Sequence, residues 1–547
     1  MALVRPKPPA GSVQDSGSIQ TLFSKPPSTG RKRRGAGIPV APFVECRRLA
    51  WEVRRVSLNV RRGCLAVIIL VAQLLACRDG SGQGMAQVGW QLRRIRSADL
   101  TARMREAVNS PLIAGSSDLD RYLDRLELET ATRVRDGEFE HLIHYLLQSR
   151  RFTTLPPIEP ALSAREYVEA LAPAERERLL GADSGRVPES DRIPLRVRAR
   201  IEQFLHRLKS SRLRDEDGET DPRWRYFTTL IASDKRSPAD LLRREYGRTM
   251  RFLYRKEFLA REVGKEAQAG YVASLYRTRA HSTDTQLEAG YAVDVALAAI
   301  GQAGRERPRM ERVLIVGPGH DLAPRTGFLD ALPPQSLQPF TLADSLVRHG
   351  LADLARLQIH AVDINPRVVE HLERLTVRQT GRVPGLRRLE LVSGIAEGNG
   401  LSFTADFRDY FRVLVGRIGR VIDERSPPAP LGHLAKRVEL DARLGVVISA
   451  RRLNIIAERY DPSPRFDLIV VTNVFPYFDN RLELPLAVAN LAAMLGPGGW
   501  LVHNELPIIG EAIFQAAGLP VEQVRTLVIA SGSGQPLFDG VVIHRKQ

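Results

Sequence analysis

Gly317, Pro318 and Gly319 form a predicted turn after the apolar segment "RVLIV", and Asp363 ends the next apolar segment, "LQIHAV". Glycine at such a turn lets a ligand approach the backbone where a side chain would block it. A carboxylate at the end of the second strand can accept hydrogen bonds from the hydroxyls of a ribose. Together, these residues predict a site for a nucleotide-like cofactor.

These residues need a sheet whose strands end at one edge. The segments "RVLIVG", "LQIHAVDI", "LRRLELVSGIA", "RFDLIVVTNVF" and "GWLVHNE" are predicted as five successive strands with helical segments between them. Apolar runs without alternation are typical of parallel strands buried on both faces. The alternation of strands and helices predicts a doubly wound, Rossmann-like α/β sheet, with ligands bound at the carboxyl ends of the strands. The start of the apolar helix before the first strand is predicted to border the pocket.

Segments after the fourth predicted strand carry a further set of motifs. That strand opens with Phe466-Asp467 and is followed by Asn473 and by Phe475-Pro476-Tyr477. A helix then ends in Leu495-Gly496-Pro497-Gly498-Gly499, and the tail "VRTLVIASGSGQPLFDGVVIHRK" is predicted as two strands around a turn. Over residues 280–547 these features resemble the class I S-adenosylmethionine-dependent methyltransferases, whose sheet closes with a hairpin containing one antiparallel strand.

The resemblance implies S-adenosylmethionine as cofactor, methyl transfer as activity, and a role for each matching residue. Gly317, Pro318 and Gly319 would shape the turn beside the methionine part of the cofactor. Asp363 would hold the ribose and Ile364 would pack on the adenine. The resemblance further implies contacts to the adenine edge by Glu397 and Asn399, and a methyl-transfer site lined by Asn473 and Tyr477.

Two positions depart from the family pattern. Ile315 stands where the family usually has an acid, and Asp321 stands at its third glycine position. Either change could weaken cofactor binding, or Asp321 could supply the contact of the missing acid. The long segment between the third and fourth predicted strands, about residues 402–465, is predicted as an insertion that covers the substrate.

Three functions remain open at this stage. The first is methyl transfer to an acceptor that the sequence does not identify. The second is a non-catalytic, methyltransferase-like protein, exported or membrane-anchored, that binds a ligand or a partner. The altered glycine motif favours it, as does the signal-like segment described below, because S-adenosylmethionine is made in the cytoplasm. The third is a dinucleotide-dependent oxidoreductase, which the leucine at position 322 disfavours because that motif needs a third glycine there.

The chain before the α/β region is predicted to contain two parts. Residues 1–86 form a basic, disordered leader, and residues 87–278 form a helical domain of unknown role, a lid or a partner surface, before the α/β domain at 279–547. Residues 1–62 hold 13 Lys and Arg against 3 Asp and Glu and so carry +10 of the net charge of +17. We therefore expect no specific nucleic-acid partner for the folded part. His141 and His144 lie three apart on a predicted helix without an evident third ligand, so no metal site is predicted.

The leader contains a signal-like apolar segment, residues 64–77. Two arginines precede it, and "LLAC" at its end resembles a bacterial lipobox in which Cys77 would be lipidated. The segment is too short for an ordinary membrane span. Membrane anchoring or export is the favoured interpretation, and a buried helix in a cytoplasmic protein is the alternative.

Overall fold

A computed structural model describes most of the chain after the leader. The described residues are 91–108, 116–181, 192–210, 221–264, 267–268, 271–272, 274–275, 287–304, 306–321, 330, 332–376, 388–398, 400–423, 432–461, 465–478, 481–505, 510–533 and 536–547. The predicted signal-like segment 64–77, with Cys77, lies outside these ranges, as does Asn399. Residues 90–547 form one compact unit.

Thirteen strands are present among the described residues. They are β1 (Gln91–Arg94), β2 (Arg312–Val316), β3 (Gln358–Asp363), β4 (Arg388–Val392), β5 (Leu401–Phe403), β6 (Gly419–Asp423), β7 (Ala435–Leu440), β8 (Ile448–Arg452), β9 (Glu458–Asp461), β10 (Phe466–Val471), β11 (Leu495–His503), β12 (Val521–Gly532) and β13 (Leu537–Arg545).

A large central sheet contains eight of these strands, in the order β5-β12-β13-β11-β10-β2-β3-β8. Strands β8, β3, β2, β10 and β11 pair in parallel. Strand β13 is antiparallel to both of its neighbours, β11 and β12, and β5 is antiparallel to β12. The prediction of a mixed α/β fold with a large central sheet is confirmed. Strands β2 and β10 are buried almost throughout, as expected for strands covered on both faces.

The predicted third strand is wrong as a member of this sheet. The segment "LRRLELV" does form a strand, β4, but β4 belongs to a separate three-stranded sheet with the order β4-β7-β6. The place beside β3 is taken by β8, which lies in the stretch that was predicted as an insertion. Both β4 (RLELV) and β8 (ISARR) are five residues long, and the polar residues of β8 hide it in the sequence, so local patterns do not reveal which of them pairs with β3.

Fourteen α-helices of four residues or more are present within the described ranges. They are α1 (Ala102–Val108), α2 (Ser116–Gln148), α3 (Pro160–Glu169), α4 (Pro173–Leu180), α5 (Leu195–Ser210), α6 (Pro222–Ala232), α7 (Pro238–Tyr254), α8 (Leu287–Gln302), α9 (Gln338–Arg348), α10 (Pro366–Thr376), α11 (Ala405–Val413), α12 (Leu444–Val447), α13 (Glu483–Met494) and α14 (Glu511–Ala516). A π-helical turn and a short helix, Arg255–Leu259 and Ala260–Glu262, continue α7. None of the described helices is long and apolar enough to cross a membrane.

Helices α1 to α7 fall in the segment predicted as a helical domain, and several begin where the sequence supplies a cap. Asp221 accepts hydrogen bonds from the N–H groups of Arg223 and Trp224 and so caps α6. Ser237 caps α7 by accepting from the N–H of Asp240. A proline follows each capping residue, at the first helical position, where its missing N–H is not needed.

Helix α2 joins the helical part to the α/β part. At 33 residues it is roughly 50 Å long. Leu119, Leu123 and Leu126 in its first half belong to the apolar core beneath β2 and β10. Phe139 and Leu142 in its second half belong to the core of the helical part. Each half of α2 is therefore packed in an apolar core, and the middle of the helix is held between these two cores. Whether residues 87–278 and 279–547 are separate domains stays a prediction.

A buried histidine pair lies on the neighbouring antiparallel strands β11 and β13. The Nε2 atoms of His503 and His544 are 3.0 Å apart, and Nδ1 of His544 is 2.9 Å from the carbonyl oxygen of Leu519. His544 therefore donates from Nδ1 and accepts at Nε2 from His503. Burial lowers the pKa of His503 to about 3 and that of His544 to about 4. Both side chains are neutral in the folded protein.

We expect this pair to make the protein less stable in acid. Below pH 6.5 the unfolded chain protonates these histidines, whereas the folded chain does not until about pH 4. Stability is therefore lost as the pH falls through this window, by roughly 2 kcal/mol for each histidine at pH 5. Urea unfolding at pH 7 and pH 5 should show a smaller acid-induced loss for His503→Gln than for wild type. The same loss in both proteins would contradict the assignment, and His206→Gln, at an exposed helical position, is the control.

Candidate functional site

A cleft opens at the carboxyl ends of β2, β3 and β10. Its empty volume of about 1150 Å³ includes the open mouth of the cleft. In register, Val316 at the end of β2 lies opposite Val362 on β3 and Val471 on β10. The residues that follow these strands consequently leave the sheet at one edge. The cleft is lined there by segments 316–319, 362–364, 453–456 and 472–474.

The predicted glycine turn, Gly317, Pro318 and Gly319, forms part of the cleft wall. Both glycines have φ of 69°, a left-handed conformation that side chains disfavour. A Cβ atom at Gly317 would lie 2.7 Å from Cγ2 of Val474, which is too close for two carbon atoms. The turn therefore requires glycine at 317 for two independent reasons, and it exposes backbone rather than side chain to the cleft.

Asp363, the last residue of β3, lies in the cleft beside Ile364 and is almost completely buried. Its Oδ1 accepts a hydrogen bond of 2.8 Å from the N–H of Asn365. Burial raises the pKa of Asp363 to about 6, and the nearby carboxylate of Glu138 acts in the same direction. Backbone N–H groups of Asn365, Gly319 and Ile364 oppose this shift by stabilising the charged form. The carboxylate is thus poised to ionise slightly below neutral pH.

Asn473 and Tyr477, the predicted methyl-transfer residues, line the same cleft. Asn473 has φ of 56°, one of two positive values among the described non-glycine residues. Its backbone N–H donates to Oδ1 of Asn504 at 2.9 Å, and Nδ2 of Asn504 donates back to Oδ1 of Asn473 at 2.9 Å. This reciprocal pair holds Asn473 in an uncommon conformation at the end of β10, as residues at functional sites often are held.

Two further predicted residues do not line the cleft. Asp321 exchanges backbone hydrogen bonds with Gln335 and is buried. Glu397 accepts from the N–H of Phe403 at 2.8 Å and forms an ion pair with Arg408. Both are occupied in fixing local structure, and no contact with a cofactor follows from their positions. Of the segment predicted as a substrate cover, residues 453–456 line the cleft; its covering role stays a prediction.

Several lining residues were not predicted from the sequence. Thr130 and Arg133 on α2 face the cleft, as do Gln338 and Thr341 on α9. Nε2 of Gln338 also donates to Oγ1 of Thr472 at 2.6 Å, which ties α9 to the end of β10. These residues are ordinary polar positions on helices, so no local signal distinguishes them. The start of α8, in contrast, was predicted to border the pocket, and three of its residues line the cleft: Leu287, Ala289 and Gly290.

Acidic side chains cluster behind Asn473 without lining the cleft. Burial, with the nearby charge of Asp539, raises the pKa of Glu505 to about 7. Burial also raises the pKa of Asp539, to which Asn504 donates a hydrogen bond. No group of three or more His, Cys, Asp or Glu in the described part of the chain is arranged to hold a metal ion. Glu505, whose pKa is about 7, thus lies two residues after β11 and directly follows Asn504, the residue that supports Asn473.

Comparisons with known proteins give partial similarities to solved methyltransferase structures. One is the N-methyltransferase NodS from Bradyrhizobium japonicum in complex with S-adenosylhomocysteine, at 14% identity and a TM-score of 0.22, over 46% of this chain and 85% of that one. A second is magnesium protoporphyrin IX methyltransferase from Synechocystis with bound S-adenosylmethionine, at 9% identity and a TM-score of 0.23, over 53% and 97%. A third is a TehB-like methyltransferase from Corynebacterium glutamicum, at 13% identity and a TM-score of 0.23, over 47% and 88%.

No protein-family model and no curated protein sequence matches this chain. The structural overlaps extend over about half of its length, and at TM-scores of 0.22–0.23 they carry no argument about activity. The site is defined by the strand order, the glycine turn at Gly317 and Gly319, and the buried acid Asp363 of the chain itself.

Proposed function

We propose that the cleft binds S-adenosylmethionine and that the protein transfers its methyl group to an acceptor. The observation that carries this proposal is the pairing of the glycine turn with Asp363 at the ends of two adjacent parallel strands, β2 and β3. Bound S-adenosylmethionine supplies an electrophilic methyl group on a sulfonium. The residues of the chain then have to bind the cofactor, orient the acceptor and keep water away from the reacting atoms.

The cleft fits this cofactor on three points. The turn at Gly317 and Gly319 has no side chain that would block a close approach to the backbone. Asp363, when ionised, can accept hydrogen bonds from two ribose hydroxyls, and Ile364 beside it offers an apolar surface for the adenine. Asn473, fixed by Asn504, presents polar groups on the opposite strand end, where an acceptor can be oriented.

The two other functions receive less support. The antiparallel position of β13 between β11 and β12 counts against a dinucleotide-dependent oxidoreductase. A non-catalytic protein that binds a ligand or a partner is favoured by the departures at Ile315 and Asp321 and by the signal-like segment, which lies outside the described residues. Neither Ile315 nor Asp321 lines the cleft, so Asp321 does not take the place of the acid that the family has before the turn, whereas the glycine turn and Asp363 do line it. Methyl transfer therefore remains the preferred proposal, with the acceptor open.

Calorimetric titration of the full chain with S-adenosylmethionine tests the proposed site. We expect binding by the wild type and binding about 100-fold weaker by Asp363→Ala, because about two charge-assisted hydrogen bonds are lost. Glu397→Gln is the matched control: it alters an acid that the sequence also predicted to contact the cofactor but that lies outside the cleft. We expect this control to bind like the wild type. A wild-type protein that is folded by circular dichroism yet gives no binding heat would overturn the proposal.

The proposed role of Asp363 also predicts a pH dependence of binding. The cofactor ribose needs the ionised carboxylate, and the pKa of Asp363 is about 6 in the ligand-free protein. Affinity should be constant above pH 7 and should fall about tenfold for each pH unit well below 6. Titrations at pH 5.0, 6.0, 7.0 and 8.0 measure this, and Asp363→Asn should bind weakly without that decline. Equal wild-type affinity at pH 5 and pH 8 would show that Asp363 does not hold the ligand as a carboxylate.

A further inference from the structure

Glu138, in the second half of α2, has a completely buried side chain with partners at both oxygens. Its Oε1 accepts hydrogen bonds from the hydroxyl of Tyr226 at 2.7 Å and from Nδ2 of Asn365 at 3.1 Å. Its Oε2 forms an ion pair with the guanidinium of Arg367. Tyr226 lies on α6 in the helical part, whereas Asn365 and Arg367 belong to the loop and helix that follow β3. Glu138 thus connects the helical part to the loop that begins at Asp363.

Asn365 is the link between Glu138 and the cleft. Its backbone N–H donates to Oδ1 of Asp363 at 2.8 Å, and its side-chain oxygen accepts from the N–H of Arg367 at 2.9 Å. Its remaining side-chain group, Nδ2, donates to Glu138. Asn365 is fully buried, so water cannot replace these bonds if one partner is removed. The Asn365 side chain is therefore held between Glu138 and the start of α10, next to the N–H that it offers to Asp363.

Stability alone does not explain why a carboxylate occupies this position. A buried ion pair is often no more stabilising than apolar side chains of the same volume, because both charges lose their hydration. Burial raises the pKa of Glu138, although Arg367, Tyr226 and Asn365 all favour its charged form. What the carboxylate provides is a defined geometry, since it joins three donors from two parts of the chain at one point beside Asp363.

We propose that Glu138 is a positioning residue for the cleft: through Asn365 it holds the Asp363 carboxylate in the orientation that binds the ligand, so that the helical part of the chain controls ligand affinity. This inference rests on the proposed function. It assigns to the segment before residue 279 a role in the site that neither the glycine turn nor the strand order requires.

The charge of Glu138 gives the proposal a specific signature. Glu138 lies close enough to Asp363 to raise the pKa of that carboxyl group. Removal of this charge should lower the pKa of Asp363 in a protein that stays folded and keeps the carboxyl group buried. Other titratable or charged groups near Asp363 include Tyr226 on α6, Arg367 on α10, Arg133 in the cleft lining, Arg452, its register partner on β8, and the buried His320, which follows Gly319 and packs against Tyr226.

The test uses the full chain, titrated with S-adenosylmethionine over pH 5 to 8. Glu138→Gln keeps a carbonyl oxygen for Asn365 and Tyr226 but removes the charge. We expect its affinity at pH 8 to stay within about threefold of the wild type and the pH at which affinity begins to fall to shift downward. Glu138→Leu removes the acceptor to which Tyr226, Asn365 and Arg367 all donate, and we expect its binding at pH 8 to be at least tenfold weaker than that of the wild type.

Glu245→Gln is the matched control. Glu245 is a similarly buried acid of the helical part, paired with Arg248 at 2.7 Å, and it does not line the cleft. This variant should lower the melting temperature without changing either the affinity or its pH dependence. Wild-type affinity in Glu138→Leu, or an unshifted pH dependence in Glu138→Gln, would overturn the proposal. If Glu138→Leu does not fold, the Gln variant decides alone.

A ligand-free measurement separates this proposal from the proposed function. Unfolding free energies of wild type, Glu138→Gln, Asp363→Asn and the double variant form a thermodynamic cycle at pH 5 and pH 8. We expect the two substitutions to be coupled, with a coupling that changes between these pH values. Additive effects at both pH values would show that Glu138 does not act on Asp363. A coupled cycle without any binding of S-adenosylmethionine would reject the proposed function alone.

Discussion

The position of α2 is the constraint on which the rest of the structure depends. The first half of this helix contributes to the core beneath β2 and β10, and its second half contributes to the core of the helical part. Because both halves are packed, the middle of the helix cannot move away from the sheet without opening an apolar core. Thr130 and Arg133 are consequently held at the cleft and Glu138 at the loop after β3. One helix thus fixes a cleft wall and supports the acid at the end of β3.

The cleft combines backbone exposure with buried polar side chains, and each of these carries a local penalty. Gly317 and Asn473 adopt left-handed conformations, and Asp363 keeps an ionisable group in a nearly dry position. Residues that lie outside the cleft compensate. Asn504 holds Asn473, and Asn365 holds Asp363, so the geometry of the wall depends on a second layer of amides behind it. This arrangement explains why substitutions behind the cleft are expected to alter binding.

The parts of the fold that were predicted from the sequence are those with a strong local pattern. Burial on both faces restricts the residue types in β2, β3, β10 and β11, and positive φ restricts them at Gly317, so these features can be predicted from the sequence. Asp363 can be predicted because it ends one of these strands. The exchange of β4 for β8 beside β3 was missed, since it depends on pairing between distant segments. Glu138 was missed for the same reason, since its partners lie 88 to 229 residues away, and nothing near Thr130 or Arg133 in the sequence marks their place at the cleft. The presence of Asp321 and Glu397 outside the cleft likewise follows from local bonds that no motif shows.

The contacts of α2 with segments far along the chain have a consequence during protein synthesis. Leu119 and Leu123 of α2 pack in one core with Phe466 and Leu484, and β1 pairs with β9. At translation rates of about 5–20 residues per second, the first half of α2 waits on the order of a minute for its partners to leave the ribosome. The second half can meanwhile pack with α3 to α7. In the nascent chain, the second half of α2 is therefore packed while the first half is not. Chains that end before β10 leave the apolar side chains of the first half without a core.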